Sequence, residues 1–399
     1  MKTKRITRVV SLALTLALVL SAPVHATESS SVYPPSQATE PYWYAESEFN
    51  DTLPVRAALL MEASTGAVLY AQDEKAHYPI ASVTKIMSTL LVAEALDSGR
   101  ISMDDVVTVG SAAAKMGGSQ VYLEPGEQMS VRDLLKAMVV VSANDATVAF
   151  AEYLAGSEAS FVARMNERAS RLGMTDTVFK NCHGLNEEGH YSSALDVAIM
   201  TRELLKHERI LEFTGIWMDT IRNGSFGLAN TNKLIRFYKG ANGMKTGFTD
   251  KAKYCLSATA LRDGMQLIAV IIGAETSDIR FESAKKLLDH GFACYSVVTP
   301  QKEDLGLFAV AGGESDSVRV EYEPPAILVS KTKRAGLTSS VTAAPLNAPV
   351  RAGDVVGGVD YFLDGVFAAH VPVTASQSVE KLTFGFLFLR VLRAAFSFF

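Results

Sequence analysis

The chain has 399 residues, of which 48% are hydrophobic and 20% are charged, a composition typical of a globular protein with room for two domains. Its net charge of −5 offers no basic field for nucleic acid, and its cysteines and histidines show no zinc-like spacing. The sequence therefore argues against a nucleic-acid partner and predicts neither a metal nor a cofactor.

The N-terminus has the organisation of a secretory signal peptide. Four basic residues between positions 2 and 8 precede the apolar run Val9–Leu20, and Val24-His25-Ala26 supplies small residues for cleavage after Ala26. We expect residues 1–26 to be removed on export. The alternative is a retained membrane anchor, although the apolar run is shorter than the ~18 residues that a span needs. Residues 27–52, rich in Ser, Pro, Glu and Tyr, are predicted to form a flexible leader.

Residues 53–298 carry strand patterns at both ends and helix patterns between them. Two mostly apolar runs around Ser64-Thr65-Gly66 predict a hairpin, and Asp263-Gly264 between two further apolar runs predicts another. Helices are predicted from near Ser82 to Gly99 and over 130–141, 145–154, 157–172, 196–206 and 278–290. This arrangement favours an α+β fold, with helices packed on an antiparallel sheet.

The C-terminal hundred residues divide into two segments of different character. Residues 299–373 are rich in Val, Ala, Gly and Thr with short strand-like runs, and they predict a small all-β domain. Residues 374–399 end in a very apolar run whose polar residues fall on one side of a helix: Thr383, Arg390, Arg393 and Ser397. This pattern is typical of an amphipathic helix on a membrane surface. The alternatives are a helix docked on the protein core and a membrane span.

Cys182, Cys255 and Cys294 are expected to be buried free thiols. An odd count cannot form a complete disulfide framework, and the core is large enough not to need one. Because export permits a disulfide, a Cys182–Cys255 bridge is the alternative.

A possible nucleophile and base stand together in Ser82-Val-Thr-Lys85, at a predicted helix start. Residues three apart lie on one face of a helix, so the two side chains can meet. A serine hydroxyl is a weak nucleophile until a base removes its proton, and a lysine becomes that base when its surroundings lower its pKa from about 10.4. Alone the pattern is weak, since Ser-x-x-Lys occurs four times in this chain.

Two further elements strengthen this prediction. Ser142-Ala-Asn144 interrupts a very apolar helix, where an unpaired polar group costs about 1–3 kcal/mol, so these side chains either have partners or line a cavity. Lys245-Thr246-Gly247 opens a predicted strand; its Lys and Thr can hold a carboxylate, and its glycine allows a ligand close to the backbone. The three elements in this order are typical of penicillin-binding proteins and class A β-lactamases.

The chain resembles the low-molecular-weight penicillin-binding proteins of the D-alanyl-D-alanine carboxypeptidase family beyond these elements. Four segments carry the likeness: Pro79–Met87, Asn181–Leu185, Asn230–Lys233 and Gly243–Thr249. The resemblance implies a β-lactamase/transpeptidase-like domain with helices on both sides of its sheet. It also implies an exported enzyme, attached to the outer face of the cytoplasmic membrane, that removes the terminal D-alanine from peptidoglycan stem pentapeptides and is acylated by β-lactam antibiotics.

The resemblance further implies roles for the first two elements. Ser82 would be the acylated nucleophile and Lys85 its base. Ser142 would pass a proton to the leaving D-alanine amine, and Asn144 would bind the peptide backbone of the substrate.

The third element and its neighbour would bind and polarise the substrate. Lys245 would supply positive charge, and Thr246 would bind the terminal carboxylate, next to Gly247. The backbone N–H groups of Ser82 and Phe248 would form the oxyanion hole, which stabilises the charge of the tetrahedral intermediate. Some members of the family carry His where Phe248 stands.

Other functions stay open at this point. A class A β-lactamase carries a similar trio but needs a positioned acid for rapid deacylation, and no segment clearly offers one. A D,D-endopeptidase differs mainly in pocket shape, and a non-catalytic penicillin-binding sensor would keep the fold without turnover. A pairing of serine with His183 or His190 lacks an identifiable acidic residue to orient the ring.

Overall fold

The computed structural model describes residues 42–47, 49–331 and 336–396. The predicted signal peptide, with its alternative of a retained anchor, and most of the predicted leader lie outside the described residues.

The first part of the structure is built on a six-stranded sheet. In chain order its strands and those of two small hairpins are β1 (Trp43–Tyr44), β2 (Ala57–Glu62), β3 (Ala67–Gln72), β4 (Val106–Thr108), β5 (Gln128–Ser130), β6 (Met218–Ile221), β7 (Phe226–Ala229), β8 (Ala241–Thr249), β9 (Lys253–Arg262) and β10 (Met265–Ala274). The order in the large sheet is β1-β3-β2-β10-β9-β8, and each neighbouring pair is antiparallel except the parallel pair β1 and β3. The hairpins β4–β5 and β6–β7 stand apart from it.

Both predicted hairpins of the large sheet are confirmed. Strand β2 pairs with β3, and β9 pairs with β10 across Asp263 and Gly264. These two turn residues have φ angles of 49° and 78°, the positive values that a tight two-residue hairpin turn requires.

Helices cover both faces of this sheet. They are α1 (Lys85–Asp97), α2 (Ser111–Ala114), α3 (Val131–Val140), α4 (Asn144–Ala155), α5 (Glu158–Arg171), α6 (Ala194–Leu204), α7 (Glu208–Thr214), α8 (Leu234–Phe237) and α9 (Ser277–Cys294). Successive residues of a strand point to opposite faces. Leu59 of β2 therefore packs in the core that holds α1, α3, α4 and α6, and Leu60 packs in the core that holds α9. The predicted α+β fold with helices on both sides is confirmed.

Local signals in the sequence place the elements that carry the polar motifs. A short 3₁₀ turn, Ala81–Thr84, leads directly into α1. The Ser130 hydroxyl caps α3 by accepting a hydrogen bond from the Asp133 N–H at 3.1 Å. The predicted interruption is also present, because α3 ends at Val140 and α4 begins at Asn144.

The prediction that Lys245 opens a strand is wrong. Strand β8 begins at Ala241 and pairs with β9 through a register shift between Ala241 and Gly243. Asn242 and Gly243 have the composition of a turn, but the bulge lets them stay in the sheet. The motif therefore lies inside the strand, where its backbone is held on one side by β9.

The second part of the structure is a β domain. Strand β11 (Tyr295–Val298) precedes its strands β12 (Leu307–Ala311), β13 (Ser317–Glu321), β14 (Ile327–Ser330), β15 (Leu337–Ala343), β16 (Leu346–Asn347), β17 (Val355–Leu363) and β18 (Val366–Ala375). Six strands form a sheet of order β15-β17-β18-β13-β12-β16 over a separate hydrophobic core, while β14 pairs with β11. The predicted domain boundaries at 52/53, 298/299 and 373/374 stay predictions.

Contacts of the β domain continue beyond residue 373. Strand β18 runs to Ala375, and isolated bridges join Val379 to Val350 and Lys381 to Gly313. The last helix, α10 (Phe384–Phe396), then begins. Phe384 is 83% exposed, and the described side chains of α10 are exposed or half-buried, so α10 is not docked on the core. No helix within the described ranges is long and apolar enough to cross a membrane.

All three cysteines are free thiols. Cys182 and Cys255 are buried, as predicted, whereas Cys294 is only half-buried. The alternative of a Cys182–Cys255 bridge is wrong.

Candidate active site

The Ser82 hydroxyl and the Lys85 amine meet at the junction of the 3₁₀ turn and α1. Lys85 Nζ lies 3.0 Å from Ser82 Oγ, 2.6 Å from Asn144 Oδ1 and 2.8 Å from the carbonyl oxygen of His183. Ala81, just before the serine, has a φ of +47°, a strained value for a residue with a Cβ. The fold thus holds the predicted nucleophile and base in hydrogen-bonding contact.

Burial changes the protonation of this lysine. The Lys85 side chain is fully buried, and this desolvation lowers the pKa of Lys85 to about 7, although Cys182 and Asp145 act in the opposite direction. A substantial fraction of Lys85 is therefore the neutral amine near pH 7, and this form can accept the proton of Ser82.

Ser142 and Asn144 occupy the break between α3 and α4. Asn144 accepts from Lys85 through its Oδ1 and donates through its Nδ2 to the carbonyl oxygen of Gly117 at 2.8 Å. Ser142 has a φ of +65°, and its buried hydroxyl has no hydrogen-bond partner among the described residues. Strained backbone and unpaired buried hydroxyls are both found at functional sites.

Strand β8 brings Lys245, Thr246 and Gly247 beside the nucleophile. Lys245 is buried and donates to the carbonyl oxygen of Thr246 at 3.0 Å; desolvation, and then the charges of Lys85 and Arg280, hold its pKa well below the usual range. Thr246 Oγ1 lies 2.6 Å from Thr231 Oγ1. These residues place an amine and a hydroxyl on the strand next to the serine.

Gly247 allows a close approach within the protein, and its predicted contact with a ligand stays a prediction. A Cβ at this position would lie 2.8 Å from the carbonyl oxygen of Ile80 and 3.0 Å from the Ser82 nitrogen. The missing side chain therefore lets the strand pack against the turn that carries the nucleophile. Phe248, which follows, is 50% exposed, and its ring centroid lies 4.4 Å from that of Tyr254.

Comparison with known proteins identifies the family. The family model for D-alanyl-D-alanine carboxypeptidases matches residues 45–276, and the model for the C-terminal domain of penicillin-binding protein 5 matches residues 298–381. The chain belongs to the D-alanyl-D-alanine carboxypeptidase family. The predicted family is thereby confirmed, and the enzyme is a serine-type carboxypeptidase.

Relatives and solved structures agree with this membership. The D-alanyl-D-alanine carboxypeptidase DacF of Bacillus subtilis strain 168 is 42% identical over 337 residues, which cover 82% of this chain and 87% of that protein. Penicillin-binding protein 5 from Haemophilus influenzae is similar in structure, with a TM-score of 0.74, 31% identity, and coverage of 84% of this chain and 99% of that one. Penicillin-binding protein D2 from Listeria monocytogenes in its ampicillin-bound form has a TM-score of 0.56 and 34% identity, covering 61% of this chain and all of that one (100%).

Sequence reasoning missed a buried arginine behind the third motif of the carboxypeptidase. Arg280 of α9 points its Nη1 at the carbonyl oxygens of Gly247 and Cys255, each at 3.4 Å, and its guanidinium lies 4.4 Å from the ring centroid of Phe281. No carboxylate among the described residues forms an ion pair with it, and burial lowers its pKa to about 10. Its charge acts on Lys245 of β8, whose pKa it helps to lower, but nothing in the helical pattern of α9 indicates this.

Sequence reasoning also made no prediction for Asp145, which immediately follows Asn144. Its buried carboxylate accepts hydrogen bonds from the backbone N–H groups of Val121, Leu123 and Ala146, at 3.0, 3.1 and 2.9 Å. It thereby fixes the segment at 117–123, whose Gly117 carbonyl binds Asn144. An acidic residue directly after Ser-x-Asn at a helix start was the signal available in the sequence.

The two histidine rings of the carboxypeptidase contact groups other than Ser82. The ring of His190 lies 2.8 Å from Thr84 Oγ1, and that of His183 lies 3.3 Å from Glu158 Oε1. Burial lowers the pKa of His183 to about 3 and that of His190 to about 4, so both rings are neutral. The sequence showed no acidic partner for either ring, and Glu158 proves to be one for His183.

Proposed function

We propose that the protein is exported and removes the terminal D-alanine from peptidoglycan stem pentapeptides through an acyl-enzyme on Ser82. One observation carries the proposal: Ser82 Oγ lies 3.0 Å from the amine of a fully buried Lys85 whose pKa burial lowers to about 7. This is the contact that a serine nucleophile and its general base need.

Acylation follows from the groups around this pair. Neutral Lys85 takes the proton of Ser82 as the serine oxygen attacks the carbonyl carbon of the penultimate D-alanine. The N–H groups of Ser82 and Phe248 stabilise the oxyanion. The free hydroxyl of Ser142 donates a proton to the nitrogen of the terminal D-alanine as the C–N bond breaks, and Lys85 returns a proton to Ser142.

Other groups of the site recognise the substrate. The side chain of Asn144 binds the peptide backbone of the stem. Thr246 binds the terminal carboxylate, and the charges of Lys245 and Arg280 favour that anion. After D-alanine leaves, Lys85 removes a proton from a water molecule that attacks the ester on Ser82, which restores the free enzyme.

Inhibition by β-lactams follows from the same chemistry. A β-lactam presents a strained amide and a carboxylate, and attack by Ser82 opens the ring to give a stable ester. Penicillin-binding protein D2 from Listeria monocytogenes, which is similar to this chain, was solved in its ampicillin-bound form, and this supports the proposal.

Export and membrane attachment belong to the proposal as well. The segment at 1–26 has the pattern of a cleaved signal peptide. In α10, Phe384, Phe388 and Leu389 are more than half exposed while Arg390 and Arg393 supply cationic groups, as in helices that lie on anionic membranes. We propose that α10 attaches the enzyme to the outer face of the cytoplasmic membrane.

The first experiment uses the chain from residue 27 and a stem pentapeptide ending in D-Ala-D-Ala, with an assay of free D-alanine. We expect one D-alanine per peptide, and no release by Ser82→Ala with its folding unchanged. Release by Ser82→Ala would contradict the mechanism. If the wild-type enzyme were acylated by labelled penicillin but released no D-alanine, the protein would be an endopeptidase or a non-catalytic sensor.

The attachment is tested by deleting α10. The deletion begins at Phe384, because Val379 and Lys381 pair within the β domain and should be kept. We expect active enzyme in the soluble fraction and no binding to vesicles that contain anionic lipid. Continued binding by the deleted form would show that the attachment lies elsewhere.

A further inference from the structure

The base Lys85 depends on a short loop for one of its three contacts. The backbone carbonyl of His183 accepts from Lys85 Nζ at 2.8 Å, and the preceding carbonyl, of Cys182, accepts from the Ser88 hydroxyl at 2.6 Å. Both carbonyls thus face α1. The peptide planes at 182 and 183 must keep this orientation if Lys85 is to stay aligned with Ser82.

A single carboxylate holds the other side of this loop. Glu158 Oε1 accepts from the Cys182 N–H at 3.1 Å and from the Cys182 thiol at 3.2 Å, and it lies 3.3 Å from His183 Nε2. Glu158 is the first residue of α5, whose N-cap is Ser157. Three donors from two consecutive residues therefore converge on one oxygen.

The tautomer of the His183 ring makes His183 Nε2 the donor of a hydrogen bond to Glu158. The Leu185 N–H donates to His183 Nδ1 at 3.2 Å, so Nδ1 is the acceptor and the proton of the neutral ring is on Nε2, facing Glu158. The carboxylate thus fixes the backbone of the loop through Cys182 and its side chain through His183.

We propose that Glu158 is a positioning residue for the general base: it holds the 182–183 peptide so that the His183 carbonyl keeps Lys85 aligned with Ser82. The contacts of Glu158 are with Cys182 and His183, and it acts on Ser82 and Lys85 only through them. The inference rests on the proposed role of Lys85 in acylation.

The charged surroundings of both groups define what a pH profile will report. Lys85 faces Asp145 on α4, Lys245 on β8 and Cys182 on the loop. Glu158 faces Cys182 and His183, with Glu152 of α4 nearby. A carbonyl that accepts from Lys85 favours its charged form, so loss of that acceptor lowers the pKa of Lys85. The acid limb of the pH–rate profile then moves to lower pH while the plateau falls.

The test compares Glu158→Ala and Glu158→Gln with the wild-type chain from residue 27. The rates are D-alanine release and acylation by labelled penicillin, each measured from pH 5 to 9. Glu208→Ala is the matched control, because Glu208 is also the first residue of a helix, is exposed, and lies outside the site. The Tm of each variant gives the folded fraction at the assay temperature.

We expect Glu158→Ala to lose about tenfold to a hundredfold in acylation rate, the cost of a misplaced catalytic group, with its acid limb at lower pH. Glu158→Gln keeps an oxygen for the Cys182 N–H and should stay within about threefold of wild type. The proposal is overturned if Glu158→Ala matches Glu208→Ala, if the two Glu158 variants lose activity equally, or if the rate falls with an unmoved acid limb. Failure of the wild type to release D-alanine would overturn the proposed function but leave the acylation test of Glu158 valid.

Discussion

Adding one methyl group at Gly247 should slow acylation without touching any catalytic side chain. The new Cβ would lie 2.8 Å from the Ile80 carbonyl oxygen, 3.0 Å from the Ser82 nitrogen and 3.1 Å from the Ala81 Cβ. Nonbonded heavy atoms prefer a separation of about 3.5 Å, so strand and turn must move apart by about half an ångström.

This displacement separates the two sides of the proposed oxyanion hole. A misplacement of about 1 Å can cost about a hundredfold in rate, so half of it should cost about tenfold in kcat/KM. Tenfold corresponds to about 1.4 kcal/mol of transition-state stabilisation. Acylation by penicillin should fall by a similar factor, because it uses the same donors.

The control is Gly227→Ala in β7. It makes the same change within a strand, but no atom lies within 4 Å of the added Cβ. D-alanine release and penicillin acylation are measured for both variants, and Tm is measured to confirm folding. If Gly247→Ala stayed within twofold of Gly227→Ala, the close packing of β8 on the serine turn would have no catalytic consequence, and the reasoning would fail.

Three more predictions follow from the site. Because burial lowers the pKa of Lys85 to about 7, the neutral base is lost as the pH falls, and kcat/KM should decline about tenfold per pH unit below that midpoint; a profile flat from pH 5 to 8 would contradict this. Asp145→Ala leaves the buried N–H groups of Val121 and Leu123 without an acceptor, which should cost about 1–3 kcal/mol for each in the free energy of unfolding, measured in urea. Arg280→Met should lower kcat/KM for the free peptide about tenfold but leave a C-terminal amide analogue nearly unaffected, since only the free peptide carries the anion. Equal losses on both peptides would exclude carboxylate recognition by Arg280.

The motifs of the candidate site were predictable because each is local in the chain. Ser82 and Lys85 lie one helical turn apart, and Ser142 interrupts a strongly apolar segment. The periodicity of the sequence is therefore enough to identify both features as candidates. Their meeting with Lys245 could be expected only from the resemblance to the family, since nothing local brings β8 to the start of α1.

The residues that support the site could not be predicted, because they reach it only through contacts that are distant in sequence. Arg280 lies in a helix on the far side of β8 and acts through contacts with Gly247 and Cys255, which are more than twenty residues away in sequence. Glu158 has the pattern of a surface residue at a helix start, and only the fold shows the loop at 182–183 beside it. The bulge near Gly243 escaped prediction because its residues are those of a turn.

The unpaired hydroxyl of Ser142 has a consequence for the energetics of the enzyme. A buried donor without an acceptor and a strained φ both raise the free energy of the empty enzyme, by about 1–3 kcal/mol each. A ligand that gives this hydroxyl a partner removes part of that penalty. Within the described residues, occupancy of the cleft would therefore offset a cost that the empty site carries at Ser142.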